Sequence, residues 1–428
     1  MKKIKTGKWS TLLAALVLTT GLSGVVQAAD YTTGLTGAYR TDNKLVKGDG
    51  SSVKQQGNET INHFIVNNVD SNGNKGTITL RVQNTIPNAF GGATGLNIGS
   101  GTTTIHSDLD IQTKADYLTQ GVQVGGNGTL IIDGNVKMRK DDAENPWGVV
   151  TNNVHGNYGP GGYVTNDGLG YTGARWQPSG FYVGESRGNI TVDGDVDIAI
   201  RGTAVLTNTY NGADVDPYDL STITLNGSSI RIVTPDDERK SDGSFKEAYY
   251  SLASFGGTVN VNVKNGEAQN GNVYMIGNVI ASKRSAGTSA SDVYQDGRIN
   301  VALTTKDSYW KGVVDNFSKE QAGEVNVWLQ NGAKWQHEAA SRTNGMDAAN
   351  MPNYSRPNYG LYDHVSYIHH FYGGTSSDKT GYLTQNHESQ IHIDNYSGYA
   401  TVIYQHNGSG MEKTDYIGGD TTIVHAVT

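Results

Sequence analysis

Three aspartates stand at alternating positions in the segment VDGDVDI, which runs from Val192 to Ile198. Side chains alternate between the two faces of a strand, so a strand here would place Asp193, Asp195 and Asp197 together on its outward face. Enzymes that cleave polysaccharides use such carboxylates as acid, base or nucleophile. The pattern fits better with a turn aspartate followed by solvent-facing residues. We therefore keep a catalytic role for this set as the alternative.

Two other groups of residues have the chemistry to bind a cation. The acidic run from Asp236 to Glu238 offers oxygen ligands of the kind that calcium prefers, but a solvated acidic loop explains it better. His364, His369 and His370 offer nitrogen ligands. Adjacent histidines on a strand point to opposite faces, so we expect His369 and His370 to be separated. The sequence predicts no metal site and no cofactor.

Two sequence patterns typical of common hydrolases are missing from the chain. There is no His-Glu-x-x-His segment and no cysteine nucleophile. Serine, histidine and aspartate are abundant, but abundance without spacing does not indicate a triad. We predict no catalytic residues, and an exported polysaccharide lyase or glycoside hydrolase remains the alternative function.

Aromatic side chains form the most site-like feature of the sequence. They are concentrated in a glycine-rich segment between Lys140 and Gly180. Tyrosine and tryptophan provide large contact areas at low entropic cost and are enriched in binding surfaces. We predict that these residues bind a glycan or a protein on a host or bacterial surface, with local packing as the alternative. The predicted ligand-binding residues are Trp147, Tyr158, Tyr163, Tyr171 and Trp176.

The composition indicates a turn-rich β protein that is exported. The 428 residues include 56 glycines, 24 tyrosines and no cysteine, and the mean hydropathy is -0.48. Without disulfides, an exported chain of this kind relies on burial and backbone pairing for its stability. The chain carries 33 basic and 41 acidic residues. This acidic balance argues against nucleic acid as a partner.

The first 28 residues have the order of a secretory signal peptide. Four lysines precede a mostly apolar run from Leu12 to Val26, and small residues end the segment at Ala28. A transmembrane anchor is the alternative, but the run is shorter than the roughly 20 residues that a helical span needs. We predict export through Sec, cleavage after Ala28 and no membrane span in the mature chain.

One short phrase recurs along the chain at uneven distances. It consists of a glycine, any residue, an apolar residue, usually a polar residue, and another apolar residue. This alternation predicts a strand with one buried face. The copies are GTITL from Gly76, GTLII from Gly128, GNITV from Gly188, GTVNV from Gly257, GRINV from Gly297, GEVNV from Gly323 and a looser GYATV from Gly398.

Several copies continue through Asp-Gly or Asn-Gly into a second short strand, as in LIIDGNVKM from Leu130 to Met138. Such dipeptides tolerate positive φ and turn the chain easily, which by itself would suit hairpins. The recurrence of one phrase instead predicts a right-handed parallel β-helix covering residues 29–428, in which each coil buries the same apolar face against its neighbours. A β-sandwich or an antiparallel barrel is the alternative. Loop insertions are expected at about 140–180, 235–250 and 337–374.

The last third of the chain resembles a known family. The segments DSYWKGVVDN (Asp307–Asn316) and GEVNVWLQNGAKWQ (Gly323–Gln336) are similar to a unit in passenger domains of bacterial autotransporters, and we assign Trp310, Trp328 and Trp335 in them to packing. The segment from Tyr399 to Val427 looks like the membrane-proximal coils of such passengers in Gram-negative Firmicutes.

This resemblance implies a β-helix at the cell surface or outside the cell, acting as an adhesin or interaction scaffold. In that family, a C-terminal β-barrel in the outer membrane exports and anchors the passenger. No run of amphipathic strands with aromatic girdles follows here before Thr428. We therefore expect the outer-membrane β-barrel to be missing from this chain, which is either a fragment or a passenger that is released or held by another partner.

Overall fold

The structure, a computed structural model, describes a little over half of the 428 residues. Within the described residues, 33 β-strands and one 3-10 turn (Ser377–Lys379) form the regular structure, and there is no α-helix. The strands are numbered β1 to β33 in chain order. The described ranges are 29–35, 44–46, 52–54, 63–84, 93–99, 101–115, 119–139, 179–184, 187–200, 203–208, 221–233, 250–254, 256–281, 296–314, 322–338, 365–385, 390–405, 411–417 and 422–423.

Most strands belong to three long sheets, and every pairing between stacked coils is parallel. Sheet I holds the first strand of each coil and has ten strands. They are β4 (His63–Asn67), β7 (Thr102–His106), β10 (Gly128–Ile132), β13 (Gly188–Val192), β16 (Ser221–Leu225), β19 (Gly257–Val261), β24 (Gly297–Leu303), β26 (Glu324–Leu329), β28 (Val365–Tyr372) and β30 (Gln390–Ser397).

Sheet II holds the second strand of each coil and is the longest of the three. It has 13 strands, of which the last two are antiparallel to their neighbours. They are β1 (Ala29–Leu35), β5 (Thr77–Asn84), β8 (Asp108–Ala115), β11 (Val136–Arg139), β14 (Val196–Ala199), β17 (Ser229–Val233), β22 (Asn272–Ile276), β25 (Tyr309–Lys311), β27 (Lys334–His337), β29 (Gly381–Gln385), β31 (Tyr399–Gln405), β32 (Met411–Ile417) and β33 (Thr422–Ile423).

Sheet III holds the third strand of the earlier coils. Its eight strands are β6 (Ala93–Ile98), β9 (Thr119–Val124), β12 (Ser179–Gly184), β15 (Thr203–Asn208), β18 (Leu252–Ser254) and β23 (Val279–Ala281), with β2 (Lys44–Val46) and β3 (Ser52–Lys54) antiparallel at one end. A small hairpin of β20 (Val263–Lys264) and β21 (Glu267–Ala268) stands apart from the three sheets.

The chain visits sheets I, II and III in turn and stacks each circuit on the one before it. This sequential rotation, with parallel pairing throughout the stack, confirms the predicted parallel β-helix and excludes the sandwich and the antiparallel barrel. Four copies of the glycine phrase begin strands of sheet I, and the copy at Gly323 directly precedes another strand of that sheet. In that sheet Gly128 pairs with Gly188, and Gly257 pairs with Gly297. The copies at Gly76 and Gly398 precede strands of sheet II instead.

The inward side chains of the three sheets form one apolar core along the axis. Alternation is visible in β13, whose Ile190 and Val192 are fully buried while Asn189 and Thr191 are not. Trp310 and Trp335 are also fully buried, as the assignment to packing predicted, and their rings stack with centroids 4.4 Å apart. Each indole N–H donates to a backbone carbonyl, so neither ring buries an unpaired donor. Trp328 differs, because it points outward and stacks on Tyr372.

The Asp-Gly and Asn-Gly dipeptides form corners between sheets I and II rather than hairpin turns. The prediction of a turn is confirmed, but its physical reason is different, because φ is not positive at Gly134, Gly194 or Gly227. A Cβ atom added at Gly194 would lie 2.1 Å from the carbonyl oxygen of Gly134, and one at Gly227 would lie 2.3 Å from that of Gly194. Glycine is needed here because successive coils approach backbone to backbone.

We predict that Gly194→Ala destabilises the rod. The new methyl group meets backbone oxygen, which cannot rotate away, so the free energy of unfolding should fall by about 3 kcal/mol. Urea unfolding followed by circular dichroism measures this loss. Gly266→Asn is the matched control, since Gly266 has φ +80 with open space around it, and asparagine tolerates that backbone region. Equal stabilities of the two variants would contradict the close-approach argument.

A buried histidine lies at the end of β27. The ring of His337 is fully buried, packs edge-on against Trp335 at 5.4 Å, and its Nε2 lies 2.8 Å from Ser366 Oγ. The Ser366 hydroxyl donates to the carbonyl of Val314 and accepts from the N–H of the same residue. Since the hydroxyl proton is used on that carbonyl, we assign Nε2–H of His337 as the donor to Ser366 Oγ. Burial lowers the pKa of His337 from 6.5 to about 3.

We predict that His337 makes the fold acid-sensitive. Its pKa is lower in the folded chain than in the unfolded chain, so below pH 6.5 the unfolded chain binds the extra proton. The contribution of His337 to the free energy of unfolding is complete above pH 6.5. It falls by roughly 4 kcal/mol as the pH falls toward 3. The difference in free energy of unfolding between wild type and His337→Gln, measured in urea at several pH values, should shrink across this range. A difference that stays constant with pH would contradict the assignment.

Candidate functional site

The five aromatic residues predicted to bind a ligand lie outside the described residues. Trp147, Tyr158, Tyr163, Tyr171 and Trp176 belong to the segment 140–178, which joins β11 in sheet II to β12 in sheet III. The acidic run from Asp236 to Glu238 and His364 also lie outside the described residues, as does the predicted signal peptide.

The structure describes all three aspartates of VDGDVDI, and each of them contacts a different residue or pair of residues. Asp193 is exposed at the corner after β13, and its carboxylate lies 3.4 Å from Lys264 Nζ. Asp197 lies on the outer face of β14 and forms a 2.8 Å ion pair with Arg231 of the next coil. Asp195 accepts hydrogen bonds from the backbone N–H of Ser229 and the hydroxyl of Ser228. Asp193 and Asp195 lie in the corner between β13 and β14, and only Asp197 lies on a strand, so the three carboxylates do not share one outward strand face as the alternation predicted.

The contacts of Asp195 continue a polar ladder that runs along the corner between sheets I and II. Asp108 Oδ1 accepts from the N–H of Asn135 at 2.8 Å. Asn135 Oδ1 in turn accepts from the N–H of Asp195 at 2.9 Å, and Asp195 Oδ1 accepts from the N–H of Ser229 at 2.9 Å. Each side chain thus satisfies a backbone donor of the following coil, which gives these residues a structural role.

We predict that Asp195→Ala lowers the free energy of unfolding by about 1–2 kcal/mol, because the N–H of Ser229 loses its acceptor. Asp195→Asn should be close to wild type, since its amide oxygen accepts the same bonds. Asp193→Ala is the matched control, and we expect a change within about 0.5 kcal/mol because its ion pair is exposed. Chemical denaturation measures all three variants. An Asp195→Ala variant as stable as wild type would contradict the structural role of Asp195.

The expectation that His369 and His370 point to opposite faces is wrong. Ile368 and Phe371 are buried, whereas both intervening histidines are partly exposed, so the alternation of β28 breaks at this pair. The neighbouring strand β30 pairs in register and puts Asp394 and Asn395 in the matching positions. The register between β28 and β30 skips His369 and Asp394 and resumes at His370 and Asn395, so the two strands share the irregularity and stay paired on both sides of it.

The outward histidines do not form a metal site within the described residues. His369 Nδ1 and His392 Nε2 lie 3.8 and 3.1 Å from the two oxygens of Asp394. The ring of His370 stacks on Tyr372 at 3.8 Å, and partial burial together with the charge of His369 lowers the pKa of His370. These side chains therefore pair with one another on the outer face of sheet I.

A second outward feature is a row of tyrosines on sheet II that the sequence did not single out. Parallel pairing places Tyr274, Tyr309, Lys334 and Tyr382 side by side on four successive strands. Tyr274 is 40% exposed and Tyr382 is 36% exposed, and no other large apolar side chain among the described residues is so exposed. The rings of Tyr274 and Tyr309 lie 5.6 Å apart at 32°. We call these four residues the tyrosine row.

A polar network holds the centre of the tyrosine row. The Tyr309 hydroxyl donates to Gln336 Oε1 at 2.6 Å, and the Gln336 amide donates to Glu338. Lys311 Nζ lies 3.4 Å from the other oxygen of Glu338. Burial, with the charges of Tyr274 and Glu338, raises the pKa of Tyr309, so its phenol remains neutral at physiological pH. The ring at the centre of the row is therefore fixed in position and uncharged.

Connection lengths distinguish one corner of the rod from the other two. From β4 onward, the connections from sheet I to sheet II contain one to ten residues, and those after β10, β13 and β16 contain three each (133–135, 193–195 and 226–228). Every connection longer than ten residues begins or ends at a strand of sheet III, or runs from sheet II back to sheet I in a coil that has no strand in sheet III. These are 140–178, 209–220, 234–251, 282–296, 312–323 and 338–364.

Described residues lie at the ends of, or inside, the three predicted insertion ranges. The expected range 140–180 extends into β12, and Tyr250 at the end of 235–250 is buried next to β18. The expected range 337–374 contains His337 of β27 and all of β28, so a strand of sheet I lies inside it.

No protein-family model, curated protein or solved structure matches this chain. Within the described ranges, no helix has the length and apolar character needed to cross a membrane. The features that bear on function are therefore the fold, the placement of the connections and the outward rows of side chains.

Proposed function

We propose that this protein is an exported passenger of the autotransporter type, in which a β-helical rod acts as an adhesin or interaction scaffold at the cell surface. The observation that carries the proposal is the placement of the long connections. From β4 onward, the connections between sheets I and II contain at most ten residues, while the longer connections begin or end at the other two corners. Such a rod keeps its core constant and offers variable segments along its length.

The aromatic segment fits this role by its attachment. Residues 140–178 leave β11 and return at β12, two strands that are each paired in register with the coils on both sides. A binding segment with both ends fixed on a stiff scaffold loses less entropy on binding than one on a free tail. We assign glycan or protein recognition on a host or bacterial surface to Trp147, Tyr158, Tyr163, Tyr171 and Trp176. An outer-membrane β-barrel outside this chain would anchor the rod.

The enzyme alternative has no comparable support within the described residues. Its best candidates were Asp193, Asp195 and Asp197, and these bond to Lys264, to Ser228 and Ser229, and to Arg231. A glycosidase needs two carboxyl groups that face the same bond of the substrate.

The proposal predicts that the secreted protein binds surface glycans or proteins through the segment 140–178. The full chain is expressed in a Gram-negative host, its mature N-terminus is determined, and binding is measured on a glycan array and on fixed cells. We expect cleavage after Ala28, and we expect Trp147→Ala with Trp176→Ala to weaken binding at least about tenfold, as loss of central aromatic contacts does. The fold, followed by circular dichroism, should be unchanged.

The control is a pair of tyrosines in another long connection, Tyr210→Ala with Tyr218→Ala, which should bind like wild type. Equal loss in both double variants would show that binding does not depend on the aromatic segment. Retention of residues 1–28 on a cytoplasmic protein would overturn export.

A further inference from the structure

The tyrosine row changes the character of one outward column of sheet II. In the earlier coils, the same column contains Asp110, Lys137, Asp197 and Arg231 on successive strands. Charges of opposite sign alternate there, and Asp197 and Arg231 form a 2.8 Å ion pair. From Tyr274 onward, the alternation ends and aromatic rings take its place.

Lys334 is the only charged member of the tyrosine row, and it stands between Tyr309 and Tyr382. It is exposed, and among the described residues no carboxylate lies within ion-pair distance of its ammonium group. Nearby Lys311 is held by Glu338, and Lys306 by Asp307. The row therefore presents one unpaired cation flanked by rings on a protein with a formal charge of -8.

The spacing of the row suits an extended ligand. Neighbouring strands are about 4.8 Å apart, so Tyr274 and Tyr382 lie roughly 14 Å apart along the axis of the rod. Aromatic rings exposed at both ends offer apolar faces for the C–H faces of sugar rings, and the ammonium between them offers a counter-charge for a carboxylate. The hydrogen bond from Tyr309 to Gln336 fixes the central ring before any ligand arrives.

We propose that the tyrosine row binds an acidic polysaccharide, a linear chain of uronic acid units lying along the axis of the rod, with Lys334 pairing with a carboxylate and Tyr274, Tyr309 and Tyr382 contacting sugar rings. This inference rests on the proposed function, because it names a ligand class for a displayed rod. It concerns a different surface from the segment 140–178.

The test uses the purified full-length protein and oligogalacturonate, a short linear polyuronate, in isothermal titration calorimetry. We expect saturable binding that weakens as the salt concentration rises. Lys334→Gln should weaken it at least about tenfold, as should Tyr274→Ala with Tyr382→Ala. Thermal unfolding of each variant should match wild type, because these side chains are exposed.

Two matched controls separate the row from general effects. Lys137→Gln removes an exposed lysine from the same outward column, and Tyr367→Ala removes a partly exposed tyrosine from sheet I; both should bind like wild type. A neutral cello-oligosaccharide and poly-L-glutamate serve as the other probes, and neither should bind with comparable affinity.

Absence of oligogalacturonate binding would overturn the inference, as would equal losses in Lys334→Gln and Lys137→Gln. If the neutral oligosaccharide bound equally well, the ligand would not have to be acidic. If poly-L-glutamate bound equally well, binding would depend on charge alone and not on sugar rings. None of these outcomes bears on export or on the segment 140–178. Conversely, if export or binding through the segment 140–178 failed while polyuronate binding was intact, only the proposed function would be overturned.

Discussion

In-register stacking of parallel coils is the constraint on which the rest of the molecule depends. Each residue lies directly above its equivalent one coil away, so every position along a coil becomes a column along the rod. Columns that face inward are mainly apolar, and the positions where two coils touch backbone to backbone, such as Gly194 and Gly227, are glycine. The amides of Asn260, Asn300 and Asn326 show the same rule, because Asn300 donates to Asn260 Oδ1 and Asn326 donates to Asn300 Oδ1, each at 2.8 Å.

This constraint also acts at the corners. Between sheets I and II the backbones of successive coils approach so closely that Gly194 has no room for a side chain, and a side chain such as Asp195 reaches the next coil to accept from its backbone. The connection 262–271 shows that this corner still accepts an insertion, because it holds the β20–β21 hairpin while Gly271 keeps the close approach to the carbonyl oxygen of Gly227. The corner between sheets II and III has similar contacts, since Asn278 Oδ1 accepts from the N–H of Val313 and Gly312 lies against the carbonyl oxygen of Gly277. A corner therefore accepts an insertion as long as the strands on both sides of it keep their register.

The sequence was sufficient to predict the fold because the period of two and the repeated glycine phrase report directly on a buried strand face. It was not sufficient to predict register, because Gly76 and Gly398 carry the same phrase but precede strands of a different sheet. The pairing of His369 with His370 on the outside was missed because simple alternation allows no irregularity, whereas two adjacent strands tolerate one when they share it. The tyrosine row was missed because its members are 25 to 48 residues apart in sequence and become neighbours only through the stacking of coils. Alignment of the four segments NVYMI, YWK, KWQH and GYLTQ on their inward residues would have revealed it.

The outward columns show where stacking stops dictating residue type. Like charges at a strand spacing of about 4.8 Å repel, so a column of charged residues has to alternate in sign, as Asp110, Lys137, Asp197 and Arg231 do. A column could equally be filled with threonine or asparagine, as on sheet I, and satisfy the same requirement without exposing apolar surface. Tyr274 and Tyr382 instead leave large parts of their rings in water, and Lys334 interrupts the row without a described counter-charge. Neither the core nor the pairing of strands requires that combination, so a ligand that covers the rings and neutralises the cation accounts for it better than the fold does.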